Sequence, residues 1–226
     1  MSPERRSRSD DDDVRAVMER FLRDFPDAVL IGGWATYIRT RVAKSHDIDI
    51  IVDLPTLAKL KAKFQLSPSH HISGRKFEIK VEGVGVDVYP VYQSKLGQRL
   101  QIPVEVLMNH TEKLDRTRIL TVEGQFVAKM AALLDRPDTL PGEKDRREMF
   151  ALINSGPGVD FKVVAGILRA GGWEGMRQTE LLDQTFDLVG ETAGLTKRDR
   201  STLRLNRARA LEAARSVEGR DQDLER

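Results

Sequence analysis

Apolar residues alternate between helical and strand spacing over the first half of the chain. A helical stripe over 14–25 ends at Pro26-Asp27. Short apolar runs at 28–31 and 47–52 predict buried strands, and the segment between them, 34–42, predicts a helix. A helix is then predicted from Leu54-Pro55, followed by a turn-forming stretch over 67–74 and a hairpin of strands 76–81 and 84–89. After the hairpin come a loop over 94–101, a short helix after Pro103 and an apolar segment over 119–122.

The pattern changes after about residue 122. From there the apolar positions recur only at helical spacing, with Pro- and Gly-containing loops between the segments. The predicted helices are 123–136, 143–154, 159–170, 179–190 and 197–217. The sequence therefore predicts an α+β protein, with a small mixed-sheet core over 14–122 followed by a helical region over 123–226.

Composition limits the class of protein. Of 226 residues, 40% are hydrophobic and 32% are charged, which is enough to build a core. The absence of cysteine excludes disulfides, thiol nucleophiles and cysteine zinc sites. We see neither the roughly 20-residue apolar run that a membrane span needs nor a signal peptide, so we expect a cytoplasmic protein without a membrane partner.

The first residues and the net charge add less. Residues 1–13 carry opposite charge blocks and almost nothing apolar, which predicts a disordered tail. The formal charge is 37 − 35 = +2, too small by itself to indicate a nucleic-acid partner.

Two aspartates stand together in the strand predicted over 47–52. Asp47 and Asp49 are two residues apart, so on a strand they project from the same face while Ile48 and Ile50 enter the core. Adjacent carboxylates repel, and a divalent cation such as Mg²⁺ or Mn²⁺ would remove that conflict. The alternative is a strand end at which both side chains simply reach solvent.

A glycine pair and a third acid extend this motif. Gly32-Gly33 lies between a predicted strand and a helix, where backbone N–H groups and the positive helix end can receive a phosphate. It is also compatible with a plain tight turn. Asp87 stands among valines on a later strand. Three acids on neighbouring strands beside such a turn suit two-metal phosphoryl or nucleotidyl transfer.

Gly32-Gly33, Asp47-Ile48-Asp49 and Asp87 together resemble the DNA polymerase-β nucleotidyltransferase superfamily. The segment GGWATYIRTRVAKSHDIDIIV is similar to its small bacterial and archaeal members, including AbiEii-like toxin or abortive-infection enzymes and antibiotic nucleotidyltransferases. The resemblance covers about 28–90. One departure is Gly33, where many members have serine.

The resemblance implies roles for these residues. Asp47 and Asp49 would bind Mg²⁺ or Mn²⁺, and Asp87 would complete the metal site and activate the attacking hydroxyl. Gly32 and Gly33 would hold the triphosphate. Ser45 either contacts phosphate or caps the strand entrance.

The helical half supplies two more candidates. Lys129 lies at the edge of an apolar helix stripe, where it either covers apolar surface with its stem or reaches a ligand. The sequence FVAKMAALLDRPDTLPGEKDRREMFAL resembles the helical region of AbiEii-like enzymes, which implies that Lys129 binds triphosphate. Asp145, near the start of the next helix, is either a nucleotide-site residue or a charge that serves the helix dipole.

The resulting hypothesis is a metal-dependent nucleotidyltransferase that transfers an NMP from an NTP to an acceptor hydroxyl and releases pyrophosphate. The resemblance favours RNA as acceptor, particularly the 3′ end of tRNA, and allows a role as a toxin with a protein antitoxin. Two alternatives remain: an antibiotic nucleotidyltransferase of the aminoglycoside or lincosamide type, and an inactive binding module of the same fold.

The last helix bears on the acceptor. Seven basic residues against two acidic ones lie between Lys197 and Arg215, and four of them share one predicted face: Lys197, Arg200, Arg204 and Arg207. Such a face either holds a phosphate backbone or is simply solvated.

Overall fold

A computed structural model describes residues 8–69, 76–156, 158–172 and 175–224. The strands in chain order are β1 (Val29–Ile31), β2 (Ile48–Val52), β3 (Ser67–Ser69), β4 (Lys76–Val81), β5 (Val84–Pro90), β6 (Lys95–Leu96), β7 (Ile102–Pro103), β8 (Thr111–Leu114) and β9 (Thr117–Leu120). The helices are α1 (Arg8–Asp24), α2 (Gly32–Thr40), α3 (Leu54–Lys63), α4 (Val104–Met108), α5 (Val122–Asp135), α6 (Leu140–Ile153), α7 (Phe161–Ala170), α8 (Gln178–Gly190) and α9 (Lys197–Leu224).

Several helix starts follow from local capping. The Asp53 carboxylate accepts the N–H of Thr56 at 2.8 Å, and proline lies in the first turn of α3. The hydroxyls of Thr121 and Thr139 accept N–H groups in the first turns of α5 and α6 in the same way. These caps fix the starts of α5 and α6, the helices that carry Lys129 and Asp145.

A mixed sheet forms the centre of the N-terminal half. Within the described part of the chain its order is β3-β4-β5-β2-β1-β9-β8. The β2–β5 and β1–β9 pairs are parallel and the other neighbours antiparallel, while β6 and β7 form a separate small sheet. The fold is therefore α+β, with a mixed N-terminal sheet followed by helices, as the sequence predicted.

The two faces of the sheet pack against different partners. One face, with Leu30, Ile50 and Val88, is buried against α1 and α3. The other face, with Val29 and Ile51, is buried against the C-terminal helices. Since strand residues alternate between faces, Asp49 and Asp87 belong to the second face and lie where it meets the helical half.

The structure differs from the sequence expectation at several places. Helix α1 begins at Arg8, so 8–13 are helical and not part of a disordered tail; residues 1–7 lie outside the described residues. Strand β3 lies within the stretch expected to form a turn, and β8 was not expected, because neither TEKL nor SPS has an apolar pattern of its own. Within the described ranges, none of the helices is both long and apolar enough to cross a membrane.

Candidate active site

Two carboxylates lie side by side on the central strands. Asp49 of β2 and Asp87 of β5 are direct partners in the parallel register. Both are half-buried, whereas Asp47 lies just before β2 and is exposed. The adjacent residues Ile48, Ile50 and Val86 are fully buried on the opposite face, which fixes the direction of the strands and therefore of the acids.

Burial and mutual repulsion raise the pKa values of these two carboxyl groups. Burial, together with the charges of Asp87 and Asp47, raises the pKa of Asp49 to about 7. Burial also raises the pKa of Asp87, although Lys76 partly opposes the shift. The Tyr89 hydroxyl donates a hydrogen bond to Asp49 Oδ1 at 3.5 Å. The site therefore holds more negative charge than its surroundings easily accommodate.

Lys76 is a site residue that the sequence argument missed. Its ammonium donates to Asp87 Oδ2 at 2.7 Å and lies 3.3 Å from Glu78. Burial tends to lower the pKa of Lys76, but the two carboxylates outweigh this effect and raise it. The antiparallel hairpin register places Glu78 opposite Asp87, so counting back from the Glu82-Gly83 turn would have brought Lys76 to this position.

The glycine turn is packed directly against the carboxylates. Gly32 has φ +67, and a Cβ there would lie 2.1 Å from Asp49 Oδ2. A Cβ on Gly33 would lie 2.8 Å from the Ser45 hydroxyl oxygen. Both positions therefore require glycine for space, and Gly32 also for its backbone conformation. The predicted residues Gly32, Gly33, Ser45 and Asp49 are thus brought together.

The same turn opens helix α2 toward the site. No described side chain caps its N-terminus, and its first turn contains no acidic residue. The Gly32 carbonyl is fixed by Gln125, whose amide donates to it at 2.8 Å, and by the Thr36 hydroxyl at 3.1 Å. Because the helix dipole and the N–H groups favour negative charge, this end of α2 is suited to an anion.

A buried ion-pair network lies behind the turn. Lys129 of α5 donates to Asp145 Oδ1 at 2.9 Å and pairs with Glu148, both on α6. Arg136 holds the second Asp145 oxygen at 2.7 Å. Burial acts to lower the pKa of Lys129, but Asp145 and Glu148 raise it overall, so the ammonium stays charged. Its positive charge also acts to lower the pKa of Asp49.

These contacts change the view of two predicted residues. Asp145 is buried behind Lys129 and positions that lysine, and Arg136 is a second partner of Asp145. Lys144 brings a further cation nearby: its ammonium donates to the Lys44 carbonyl at 3.0 Å, and it lies close to the Gly33 turn. Glu148 was missed, although its spacing of three from Asp145 on one helix is a usable signal.

The carboxylate oxygens of the site are chemically suitable ligands for a hard divalent cation. Carboxylate oxygens are the ligands that Mg²⁺ and Mn²⁺ prefer, and Asp49 is a half-buried carboxylate whose pKa is raised by burial and by the neighbouring acids. Among the described residues, however, no three His, Asp or Glu side chains are grouped closely enough to hold a metal ion. Lys76 supplies the positive charge at Asp87 instead.

Comparisons with known proteins give structural likeness at low sequence identity. No family model matches the chain, and no curated protein matches it in sequence. Structural matches include JHP933 from Helicobacter pylori, at 13% identity and TM-score 0.47, with 97% of each chain covered.

Two further matches carry activities in their names. ANT(2")-Ia, solved in complex with adenylyl-2"-tobramycin, matches at 12% identity and TM-score 0.46 over 70% of this chain and 95% of that one. The Megavirus polyadenylate synthase matches at 15% identity and TM-score 0.42 over 77% of this chain and 39% of that one. Likeness of this size does not establish an activity, so the function has to be argued from the side chains.

Proposed function

We propose that this chain is a metal-dependent nucleotidyltransferase that transfers an NMP from an NTP to a hydroxyl of RNA, with the 3′ end of tRNA as the favoured acceptor. The observation that carries the proposal is the pairing of Asp49 with Asp87 on adjacent strands, in contact with the Gly32 turn. An anion-binding helix end next to a cluster of acids requires a cation between them, and a metal–nucleotide complex provides both charges.

Asp47, Asp49 and Asp87 are the residues that would hold Mg²⁺ or Mn²⁺. When bound, the metal would neutralise the charge that develops on the phosphate oxygens. Lys76 has to release Asp87 Oδ2 for that carboxylate to bind fully, and its second contact with Glu78 gives the ammonium an alternative partner.

The remaining residues bind phosphate and move a proton. The α2 N-terminus at Gly32 and Gly33, with Ser45 beside it, receives the triphosphate, and Lys129 adds a positive charge from α5. The acceptor hydroxyl oxygen forms a bond to the α-phosphorus as the bond to the bridging oxygen breaks, and pyrophosphate leaves. Asp87 accepts the hydroxyl proton. Asp145 and Glu148 keep Lys129 in position.

The basic face of α9 supports RNA as the acceptor, with one correction. Lys197, Arg200 and Arg204 are exposed, so they are accessible to a phosphate backbone. Arg207 is not part of this set, because its guanidinium is bound to Asp183 at 2.7 Å and Asp187 at 2.5 Å. Phosphate contacts release counterions, so RNA affinity should fall steeply with salt.

A charge-removal experiment tests this face. Replacing Lys197, Arg200 and Arg204 with alanine should reduce the slope of log affinity for RNA against log salt by up to about three, one per lost contact. The matched control replaces Arg198 and Arg209, which lie on the other side of the helix and are also exposed. Equal effects of both sets, or no effect, would remove this face as an RNA site.

Transfer itself is tested with α-labelled NTPs, Mg²⁺ and total RNA. We expect a labelled RNA band with the wild-type chain and none with Asp49→Asn. Label on a small hydroxylated compound instead of RNA would support the antibiotic-type alternative, and nucleotide binding without transfer would support the binding module. If RNA is the acceptor, the resemblance further implies a protein antitoxin that restrains the enzyme.

A further inference from the structure

A cavity lies on the side of α2 away from the carboxylates. It has a volume of about 300 Å³ and is enclosed by α1, α2 and the turn between β8 and β9. Its α2 lining consists of Trp34, Tyr37, Ile38 and Arg41. Gly33 and Thr36 of the same helix face the candidate active site instead, toward Ser45 and Gln125. The cavity is therefore separate from that site.

The rim of the cavity is rich in arginine. Arg15, Arg23, Arg41 and Arg116 line it together with only two acids, Glu19 and Asp115, so the lining has a net charge of +2. Arg15 is paired with Glu19 at 2.8 Å, which leaves the excess positive charge with Arg23, Arg41 and Arg116. Arginine binds phosphate by paired, planar hydrogen bonds. A phosphate monoester, with a charge near −2, matches this excess.

The wall of the cavity is aromatic and apolar. Trp34 and Tyr37 meet edge to face with ring centroids 5.6 Å apart, and the Arg41 guanidinium lies 5.5 Å from the centre of the Tyr37 ring. The indole N–H of Trp34 is buried and has no hydrogen-bond partner among the residues that the structure describes. Met18, Leu22 and Leu114 complete the apolar surface.

We propose that this cavity is a second binding site, for an aromatic phosphate monoester of the size of a nucleoside monophosphate. Its planar ring packs against Tyr37 and Ile38, the partly exposed residues of the α2 wall, with Trp34 directly behind Tyr37, and its phosphate pairs with Arg41, Arg116 and Arg23. The volume is at the lower end of that of small-molecule sites, which excludes a folded nucleic acid. This site does not depend on the three aspartates, and its occupancy needs no metal.

Tryptophan fluorescence gives a direct test. The chain has two tryptophans, so a Trp173→Phe protein leaves Trp34 as the reporter. In EDTA, AMP should change the Trp34 emission saturably. Adenosine and inorganic phosphate, which each lack half of the ligand, should bind at least about tenfold more weakly. A saturable signal that adenosine reproduces at the same concentration would overturn the phosphate assignment, and no saturable signal with AMP would overturn the site.

Variants locate the signal. Arg41→Ala with Arg116→Ala should weaken AMP binding by about tenfold or more, as expected for lost charge-assisted contacts. Arg23→Ala with Arg116→Ala gives a second pair in case the Arg41 change alters the end of α2. Arg209→Ala on α9 is the matched control and should leave binding unchanged. Asp49→Asn should also leave it unchanged, and loss of AMP binding in that variant would assign the signal to the carboxylates and contradict the proposal.

Discussion

Asp49 combines burial with like-charged neighbours, and this has a measurable effect on stability. Its pKa is about 7 in the folded protein against an ordinary value of 3.8. Between these values the folded state binds more protons than the unfolded state, so the free energy of unfolding falls as the pH rises. The contribution of Asp49 to the free energy of unfolding is fully present below about pH 4 and is lost as the pH rises through about 7.

We therefore predict that Asp49→Asn is more stable than wild type at pH 7.5 in EDTA, by up to about 4 kcal/mol, because the pKa difference is about three units and each unit is worth about 1.4 kcal/mol. The advantage should fall below about 1 kcal/mol near pH 4, where the wild-type carboxyl is protonated in the folded state and about half protonated in the unfolded state. Urea denaturation at the two pH values measures it, with the exposed Asp138→Asn as control. A stability difference that does not depend on pH would show that Asp49 is not perturbed in this way.

Lys129 is the residue for which structure adds most to the sequence argument. Spacing placed it at the edge of an apolar stripe but could not show its partners, since Asp145 and Glu148 reach it only through the packing of α5 against α6. Its ammonium pairs with these two buried carboxylates, and its charge also acts to lower the pKa of Asp49. A role in binding triphosphate and a role in stability are therefore combined in one side chain.

Replacing this lysine should have two effects. Lys129→Met removes the cation that two buried carboxylates share, of which Asp145 keeps Arg136, and this costs about 3–5 kcal/mol of stability. NTP affinity should also fall, by about tenfold or more. Adding Glu148→Gln to Lys129→Met should restore part of the stability and none of the affinity. If the double variant recovers NTP binding as well, Lys129 acts only by maintaining the fold.

At the scale of elements, the N-terminal turn of α2 is the feature that the sequence predicted best. Glycine spacing, strand alternation and the isolated acid on β5 were enough to place Gly32, Asp49 and Asp87 near one another. The polar strands β3 and β8 were not predictable in the same way, and the contact of Lys76 required a count of the hairpin register in addition to the hydrophobic pattern. They depend on hydrogen-bonding register, which leaves little trace in hydrophobic pattern.

Gly32→Ala tests whether this turn has to approach the acid so closely. Its φ of +67 and the overlap with Asp49 Oδ2 should make the variant clearly less stable and unable to bind NTP. Gly166→Ala in α7 is the matched control, because a Cβ there meets nothing within 4 Å. That change should stabilise the protein by up to about 1 kcal/mol. Similar melting temperatures for both variants would contradict the tight packing of the turn.

The whole molecule shares a continuous core across the boundary near residue 122. Val29, Ile31 and Ile51 of the sheet are buried in the same cluster as Phe126 and Met130 of α5. Periodicity predicted both halves, but it could not show that they bury one another, because that depends on which sheet face the helices cover. The residues of the site come from both halves for the same reason.

We predict that the two halves unfold together. Tryptophan fluorescence and far-UV circular dichroism should give one coincident transition in urea, and a fragment ending at residue 122 should not fold, because it would expose the buried face of β1 and β2. Two separate transitions, or a stable fragment, would indicate that the sheet and the helices are independent domains.

Calorimetric titration with a non-hydrolysable NTP analogue tests the central claim most directly, since it needs no acceptor. In Mg²⁺ the wild-type chain should bind the analogue at one site, and in EDTA the binding should weaken strongly. Asp49→Asn should abolish the metal-dependent part while the fold is retained by circular dichroism. Equal binding by wild type and Asp49→Asn, or binding that Mg²⁺ does not affect, would contradict a metal–nucleotide site at Asp47, Asp49 and Asp87.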